Sequence, residues 1–349
     1  MKGLVFKGNR TLALEEFPDP IPGLDEVVIE IKASGMCGSD LKFYRAPPGE
    51  AMKSLGFSPS ASVIAGHEPC GVVVAVGKNV NPKRARIGQR AMIHHYRGCG
   101  VCPHCSTGWM QLCNEGVAEV YGATGNGAHA PYMKTPASTV VTLPDSLSFA
   151  TGAAISCGTG TAWGALKRLE LSSDQTIAIF GQGPVGLSAT QLAAAFGARV
   201  IALDVSPERL ARAKAFGAHE VIDPSKTDAV QAIKQLTDGL GAHATLDASS
   251  SPEARRQCVQ SVRTWGKACL VGEGGQMTMD VSPDLLRRQV TLIGSWTFST
   301  HGQAECAQFV AERGIDIDQL FTERWTLDQA EQAYQLFDKQ ISGKGVFTF

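Results

Sequence analysis

The sequence has almost no excess of charge of either sign and no long hydrophobic run. Thirty-two basic residues face thirty-three acidic ones, which leaves a formal net charge of −1 over 349 residues. A nucleic-acid binder that relies on electrostatics carries a basic excess, so this balance argues against that class. No stretch approaches the roughly 20 apolar residues of a membrane-spanning helix. The hydrophobic share of 44% is too large for an extended disordered chain.

The N-terminal residues lack the long apolar stretch of a signal peptide, and residues 1–7 have the pattern of a short strand. We therefore expect a cytoplasmic protein. In that compartment the ten cysteines are more often metal ligands than disulfides, because thiols stay reduced. At about 150 residues per domain, the length predicts two domains.

The pattern of elements changes near residue 150. Before it, short β-like runs dominate, such as 26–32 and 71–77. From there to about 293, strand-like and helix-like segments alternate, which is typical of a parallel sheet with helices on both faces. The predicted strands are 176–180, 199–204, 220–223, 244–247, 267–271 and 291–294, and the predicted helices are 184–196, 208–216 and 252–263. A helix-like segment, 327–337, and a β-like run, 345–349, form a tail that is a candidate to return to the first domain.

A glycine-rich loop lies at the start of the alternating region. Gly181, Gly183 and Gly186 have the G-x-G-x-x-G spacing, and Asp204 ends the next predicted strand, a context typical of dinucleotide binding. The first glycine permits a tight turn, the second lets a pyrophosphate approach the backbone, and the third lets helix and strand pack closely. Pro184 suits a helix start, where free N–H groups attract the pyrophosphate.

The residues around this loop favour NAD over NADP. Asp204 can accept hydrogen bonds from both ribose hydroxyls and would repel a 2′-phosphate, although Arg209 weakens this preference slightly. Val185, Val271 and Glu273 are further candidate cofactor contacts. The alternative is an ordinary glycine turn in a βαβ unit that binds nothing.

Four cysteines crowd into one short stretch: Cys99, Cys102, Cys105 and Cys113. Four thiolates suit a tetrahedral zinc ion with bonds of about 2.3 Å. Because all four positions would be filled by protein, we expect this zinc to be structural. The alternatives are an iron–sulfur cluster and unligated thiols.

Three further motifs are dispersed: Cys37 within residues 35–40, His67 within 66–68, and Cys157 within 156–163. Together with the glycine loop and the four-cysteine loop, they resemble the zinc-dependent alcohol dehydrogenases of the medium-chain dehydrogenase/reductase superfamily, in the polyol (sorbitol) dehydrogenase-like branch. The similarity runs over nearly the whole chain in the expected order. It implies an α/β fold with a mostly-β, GroES-like catalytic domain at 1–151 plus 294–349, and a doubly wound Rossmann NAD-binding domain at 152–293.

The resemblance also implies a second, catalytic zinc ion. Cys37, His67 and Cys157 are the implied ligands, and three protein ligands leave one position open for water or an alcohol oxygen. Glu68 stands close to the metal in such enzymes, either as an exchange ligand or as a carboxylate beside it. Asp40 matches an acid that orients the ligand histidine.

The same resemblance implies a proton path and shows two departures from the family pattern. Ser39 matches the hydroxyl that takes the alcohol proton. Lys42 occupies the place where many relatives carry a relay histidine, and lysine is a poorer proton carrier near neutral pH. Gly38 replaces a phosphate-binding arginine, for which Lys344 is a possible helper, although a solvated tail lysine is the favoured interpretation.

Three residues are candidates for the substrate pocket: His95, Glu273 and Trp296. Two polar groups would favour a substrate with additional hydroxyls, because buried polar groups need partners. His95 could instead be a surface histidine, and Glu273 a loop carboxylate facing solvent. Six other residues are expected to be structural: His94, His129, Cys70, Cys258, Cys269 and Cys306.

The leading hypothesis is an enzyme that transfers a hydride from a secondary alcohol or polyol to NAD and gives a ketone, with two zinc ions per chain. It would be a homodimer or homotetramer acting on small molecules, with no nucleic-acid or membrane partner. A threonine- or formaldehyde-type dehydrogenase of the same superfamily is one alternative. A catalytically silent NAD-binding protein is another, against which Cys37, Ser39, His67 and Cys157 argue.

Overall fold

The computed structural model describes residues 1–54, 62–116, 119–341 and 343–349. The chain forms two compact units, a first unit of Met1–Cys157 with Ser299–Phe349 and a second unit of Gly158–Phe298. The sequence places these transitions at 151/152 and 293/294, and each lies a few residues later in the structure. No helix in the described part of the chain has the length and apolar character needed to cross a membrane.

Strands and helices are numbered here in chain order over the described residues. The strands are β1 Lys2–Gly8, β2 Thr11–Glu16, β3 Glu26–Gly35, β4 Pro69–Val76, β5 Arg90–Ile93, β6 Tyr96–Arg97, β7 Glu119–Val120, β8 Tyr132–Pro136, β9 Val140–Thr142, β10 Thr176–Phe180, β11 Arg199–Leu203, β12 Glu220–Ile222, β13 Ala242–Asp247, β14 Val262–Leu270, β15 Thr291–Gly294, β16 Phe321–Trp325 and β17 Lys344–Thr348. The helices are α1 Asp40–Arg45, α2 Glu50–Ser54, α3 Pro103–Ser106, α4 Phe149–Ile155, α5 Gly158–Leu169, α6 Pro184–Ala195, α7 Pro207–Ala215, α8 Ala229–Gln235, α9 Pro252–Ser261, α10 Val281–Asp284, α11 Thr300–Arg313 and α12 Ala330–Asp338.

The first unit is built on a mostly antiparallel sheet. Its order is β16-β17-β3-β4-β5-β9, and β8 also pairs with β3. The tail returns to this unit, because β17 pairs antiparallel with β3 and brings Val346 opposite Gly35. Strand β4 lies on the other side of β3 and brings Pro69 opposite Ser34. The end of β3 and the beginnings of β4 and β17 therefore meet at one edge of the sheet.

The second unit contains the doubly wound parallel sheet that the alternating pattern predicts. Its strand order is β12-β11-β10-β13-β14-β15, with parallel pairs throughout. The direction of winding reverses between β10 and β13, the place where such sheets bind ligands at their carboxyl ends. The whole of β10 is buried, as expected of a strand covered on both faces.

Individual elements follow local sequence signals, with a few differences from prediction. Helix α6 has Gly183 as its N-cap residue and Pro184 in its first turn. The predicted helix 252–263 ends at Ser261, because Val262 is extended and begins β14 opposite Ala242. Helices α5, α8 and α11 lie in segments where no helix was predicted. All six residues expected to be structural are buried: His94, His129, Cys70, Cys258, Cys269 and Cys306.

A buried ion pair joins the ends of β13 and α9 in the second unit. Arg255 Nε lies 3.2 Å from Asp247 Oδ2, with side-chain exposures of 9% and 0%. The same guanidinium donates a hydrogen bond to the carbonyl oxygen of Gly272. Because Asp247 also accepts hydrogen bonds from Ser249 and Ser250, this pair holds together the loops that follow β13 and β14.

We expect Arg255→Met to destabilise the protein by about 3–5 kcal/mol, because removing one partner leaves a buried, uncompensated carboxylate. The neighbouring Arg256→Met is the matched control, since Arg256 pairs with Glu253 at the surface and such pairs contribute little. Urea unfolding followed by circular dichroism measures both. Equal effects of the two substitutions would contradict the role assigned to the buried pair.

Candidate active site

Four side chains from distant parts of the first unit bring their donor atoms together. The ligand atoms of Cys37, His67, Glu68 and Cys157 all lie within 4.8 Å of one another, and the two sulfurs are 3.9 Å apart. Two thiols, an imidazole and a carboxylate are ligands that zinc accepts. This donor set fits a zinc ion, and any three or all four of these side chains are close enough together to hold it.

The sheet edge explains why these residues meet. Cys37 follows the end of β3, His67 and Glu68 immediately precede β4, and Cys157 follows α4. Gly35 is required at the end of β3, because a Cβ atom there would lie 1.9 Å from Glu68 Oε2. The local backbone thus leaves room for a carboxylate behind the cysteine and the histidine.

The ionisable groups of this cluster shift one another's pKa values. The hydrogen bond between the two thiols lowers the pKa of Cys37 well below its usual range and raises that of Cys157. Burial acts to lower the pKa of His67, but the Asp40 carboxylate and the Cys37 thiolate raise it well above its usual value. Cys37 is therefore the thiol that ionises more readily, and the thiolate is the form that binds a metal.

Asp40 and Ser39 contact His67 from opposite sides. Asp40 Oδ1 lies 3.0 Å from His67 Nδ1, and Asp40 Oδ2 accepts a hydrogen bond from the Cys37 amide at 2.9 Å. Because the carboxylate favours a proton on Nδ1, it leaves Nε2 as the ligand atom. Ser39 Oγ lies 3.1 Å from that Nε2, so the serine hydroxyl is next to the donor cluster.

Lys344 corrects the interpretation that the sequence favoured. It is not a solvated tail residue, since its side chain is 2% exposed and its Nζ lies 2.6 Å from Glu68 Oε2. It also donates a hydrogen bond to the Met36 carbonyl oxygen at 2.9 Å. Pairing of β17 with β3 brings this lysine to the site, where it balances the charge of Glu68.

His95 is also buried, which excludes the surface alternative. It is 3% exposed, and its ring centre lies 5.3 Å from that of His67. Its Nδ1 lies 2.8 Å from the carbonyl oxygen of Ser156. Burial is the main cause that lowers the pKa of His95 well below its usual value. Lys42, by contrast, lies on the exposed side of α1.

The four-cysteine loop forms a second cluster in the first unit. The sulfurs of Cys99, Cys102, Cys105 and Cys113 lie within 4.8 Å of one another. The pairs Cys99–Cys105 and Cys102–Cys113 are 4.0 and 3.9 Å apart, near the roughly 3.8 Å edge of a tetrahedral zinc–thiolate site. The Cys105 amide donates to Cys102 and lowers the pKa of that thiol to about 6. This donor set fits a structural zinc ion.

In the second unit, the glycine loop has the geometry of a phosphate cradle. Gly181 has a φ of +89°, and a Cβ atom at Gly186 would lie 1.8 Å from the Gly181 carbonyl oxygen. At Gly183, which caps α6, an added Cβ atom would meet no described atom within 4 Å. The tight turn, the open approach and the close packing thus fall at Gly181, Gly183 and Gly186, which is the predicted order, and the loop fits a dinucleotide.

Asp204 lies directly after β11 and is tied to this loop. Its Oδ2 accepts a hydrogen bond from the Gln182 amide at 2.7 Å, and its Oδ1 accepts one from the Ser206 amide at 2.9 Å. Arg209 approaches the same carboxylate at 3.8 Å. The acid is therefore held rigidly at the carboxyl edge of the parallel sheet.

The remaining candidate residues for cofactor or substrate binding also belong to the second unit. Val185 is in the first turn of α6, and the Val271 amide donates to the Asp247 carbonyl oxygen at 2.9 Å. Glu273 is exposed, which agrees with the alternative prediction that it is a loop carboxylate facing solvent. Trp296 is 42% exposed. Their relation to the donor cluster stays a prediction.

The environments of Lys344 and Tyr334 are not evident from the sequence. Lys344 shares a strand face with buried Val346, which is a weak signal for a buried lysine. Tyr334 lies on the buried face of α12 with Ala330, Ala333 and Phe337, and a buried tyrosine needs a partner for its hydroxyl. Helical spacing could have placed Tyr334 in the core, but it could not have named that partner.

A metal-binding first unit and a dinucleotide-type second unit define a class of two-domain oxidoreductases. Comparison with known families agrees. Residues 23–145 match the alcohol dehydrogenase GroES-like domain, and residues 184–312 match the zinc-binding dehydrogenase domain. The chain belongs to the zinc-dependent alcohol dehydrogenase family of the medium-chain superfamily, which confirms the resemblance seen in its motifs.

Individual relatives match nearly end to end. The chain is 37% identical to an uncharacterized zinc-type alcohol dehydrogenase-like protein, YphC, of Escherichia coli, over 98% of this chain and 97% of that protein. It is 32% identical to a sorbitol dehydrogenase of Bacillus subtilis, over 96% and 93%. The structure of alcohol dehydrogenase TADH from Thermus sp. ATN1 matches with a TM-score of 0.89 and 25% identity, over 100% and 99% of the two chains.

Replacing Cys105 by serine should remove one equivalent of zinc, because three thiolates and a hydroxyl hold the ion much less tightly than four thiolates. Cys306→Ser is the control, since Cys306 is buried away from both clusters. Metal analysis of the purified proteins measures the difference. A Cys105→Ser protein with an unchanged zinc content would contradict a zinc site in this loop.

Proposed function

We propose that this protein is an NAD-dependent zinc dehydrogenase that oxidises a secondary alcohol or polyol to a ketone. The observation that carries the proposal is the cluster of Cys37, His67, Glu68 and Cys157, whose donor atoms lie within 4.8 Å. The sorbitol dehydrogenase relative supports a polyol. Zinc bound at this cluster would act as a Lewis acid that lowers the pKa of an alcohol, and bound NAD would accept the hydride.

The chain's own residues would bind the metal, orient its histidine ligand and move the alcohol proton. Cys37, His67 and Cys157 would hold the metal, and Asp40 keeps His67 in the tautomer that leaves Nε2 available. The Ser39 hydroxyl both donates and accepts hydrogen bonds, so it can take the alcohol proton and pass it on. Lys42 lies in α1, three residues after Ser39, and replaces the family's relay histidine. We therefore propose that the proton leaves without an imidazole carrier.

Support for NAD comes from the second unit. The open backbone at Gly183 and the free end of α6 suit a pyrophosphate. Asp204 presents a fixed carboxylate, which favours ribose hydroxyls and disfavours a 2′-phosphate. Arg209, 3.8 Å from that carboxylate, already has an anionic partner, which reduces its attraction for a phosphate.

His95 supports a substrate with more than one hydroxyl. A carbonyl oxygen can only accept, so the contact with Ser156 places the proton of His95 on Nδ1 and makes Nε2 an acceptor. The depressed pKa keeps the ring neutral near pH 7. An acceptor beside the donor cluster suits a second hydroxyl of a polyol. Glu273 and Trp296 remain candidates for the pocket on sequence grounds.

We further propose two zinc ions per chain, a cytoplasmic location and a homodimer or homotetramer. All ten cysteines are free thiols, which supports a reducing compartment. Strand β15 ends the six-stranded sheet in the described residues, with Leu292 exposed at 39%, and Leu286 nearby is exposed at 60%. An exposed edge strand with apolar side chains supports self-association.

The function is tested by a substrate panel with NAD and NADP, run on the wild type and on Cys157→Ala. We expect NAD reduction with vicinal diols or sugar alcohols, and loss of one zinc together with turnover in the variant. Cys70→Ala, at a buried thiol outside the cluster, should keep both. No turnover by a zinc-loaded wild type across polyols, simple alcohols, threonine and hydroxymethyl glutathione would defeat the proposal. A fully active Cys157→Ala would move the third ligand to Glu68.

His95→Phe should change substrate preference. Loss of one hydrogen-bond acceptor should lower kcat/KM for a polyol about tenfold relative to a simple secondary alcohol. The ratio of the two kcat/KM values is the measurement, and His301→Phe, at an exposed position, is the control. An unchanged ratio would exclude His95 from recognition of the second hydroxyl.

A further inference from the structure

A line of buried hydrogen bonds continues from His67 to the far side of Asp40. The Tyr334 hydroxyl donates to Asp40 Oδ2 at 3.1 Å. The Tyr334 oxygen lies 2.8 Å from His129 Nε2, and His129 Nδ1 lies 2.8 Å from Ser34 Oγ. All five residues belong to the first unit. The residues after Asp40 are not part of the proposed reaction described above.

Chemistry fixes the direction of each bond. A carboxylate only accepts, so the single hydroxyl proton of Tyr334 is used on Asp40, and the Tyr334 oxygen must accept from His129 Nε2. His129 Nδ1 is then an acceptor for the Ser34 hydroxyl. Burial lowers the pKa of His129 to about 4, which agrees with a neutral ring that carries one proton.

The line is closed to solvent. Ser34, His129 and Tyr334 are fully buried, and Asp40 is 3% exposed. The Tyr334 ring is packed against Phe6 at 4.9 Å between ring centres. A buried line that ends at a serine has no exit for a proton, so its effect must be on orientation.

We propose that Tyr334 is a positioning residue for the catalytic metal ligands, and that His129 holds Tyr334 in place. Asp40 contacts both Cys37 and His67, so a carboxylate that lost the Tyr334 hydroxyl would hold both ligands less firmly. Partners behind a metal ligand commonly contribute 10- to 100-fold to metal affinity. This inference rests on the proposed zinc site, and it extends that site to helix α12.

Tyr334→Phe tests the proposal because it removes only the hydroxyl. The measurement is the rate at which zinc passes from the holoenzyme to a chromogenic chelator, with the phase that is missing in Cys157→Ala assigned to the catalytic ion. We expect Tyr334→Phe to speed this phase about tenfold and to leave the four-cysteine phase unchanged.

Tyr121→Phe is the matched control. Tyr121 is also buried in the first unit, and its hydroxyl accepts a hydrogen bond from Thr135 at 2.8 Å, without contact to Asp40. Its catalytic-zinc phase should equal that of the wild type even if its melting temperature falls. Equal rates for Tyr334→Phe and the wild type would overturn the proposal. Equal acceleration by both tyrosine variants would also overturn it, since that outcome indicates general loosening.

Substitutions of His129 provide an independent test of the proposal. His129→Leu should speed the catalytic phase less than Tyr334→Phe does, and His129→Gln should restore the wild-type rate, because an amide can donate to the Tyr334 oxygen. Adding His129→Leu to Tyr334→Phe should cause no further change, since both act through one hydroxyl. Additive effects would overturn the assigned order. If the Cys157→Ala variant releases zinc with the same phases as the wild type, that result would instead refute the proposed zinc site itself.

Discussion

Electrostatic repulsion among buried donor groups is the constraint on which the first unit depends. Cys37, Cys157 and Glu68 place three groups that can carry negative charge within 4.8 Å of one another, the two thiols partly buried and the carboxylate fully buried. The two sulfurs compete for protons, so the pKa of Cys37 falls while that of Cys157 rises. Ionising more than one of these groups at once requires positive charge at the centre or the edge of the cluster. Zinc is suited to the first place, and Lys344 occupies the second.

The surrounding residues are arranged around that requirement. Burial raises the pKa of Glu68 to about 8, although the Lys344 ammonium acts to lower it. The ammonium is fixed by Glu68 and by a backbone carbonyl, so it serves the cluster rather than a distant phosphate. Asp40 supplies the complementary negative charge next to His67. His67 and Glu68 therefore each face a buried group of complementary charge.

Much of this could be predicted from sequence because spacing carries the information. Gly181, Gly183 and Gly186 have the backbone geometry that their spacing predicts, and the sulfurs of four cysteines in one short loop necessarily lie close together. Cys37, His67 and Cys157 are far apart in sequence, so only resemblance to a family could group them. The meeting of their donor atoms depends on the register of β3 with β4, which no local pattern shows.

The predictions that differ from the structure do so because long-range contacts, which no local pattern shows, determine these positions. A lysine near the end of a chain is usually hydrated, so the sequence favours a solvated Lys344, and only the pairing of β17 with β3 buries it. Tyr334 carries a hydroxyl whose partners, His129 and Asp40, lie far along the chain. Helix α9 was extended by two residues because Val262 and Arg263 fit a helical pattern locally, while pairing with β13 makes them a strand. Tertiary contacts decided each of these positions.

The division of the first unit between Met1–Cys157 and Ser299–Phe349 affects how the chain is made. When the early segment has left the ribosome, β3 still lacks β17 on one side, and Glu68 lacks its lysine. The nascent chain must keep this open strand edge from pairing elsewhere while the intervening α/β unit is synthesised. Metal capture before that point would occur without the ammonium partner. The charge balance of the finished centre is therefore completed only late in biosynthesis.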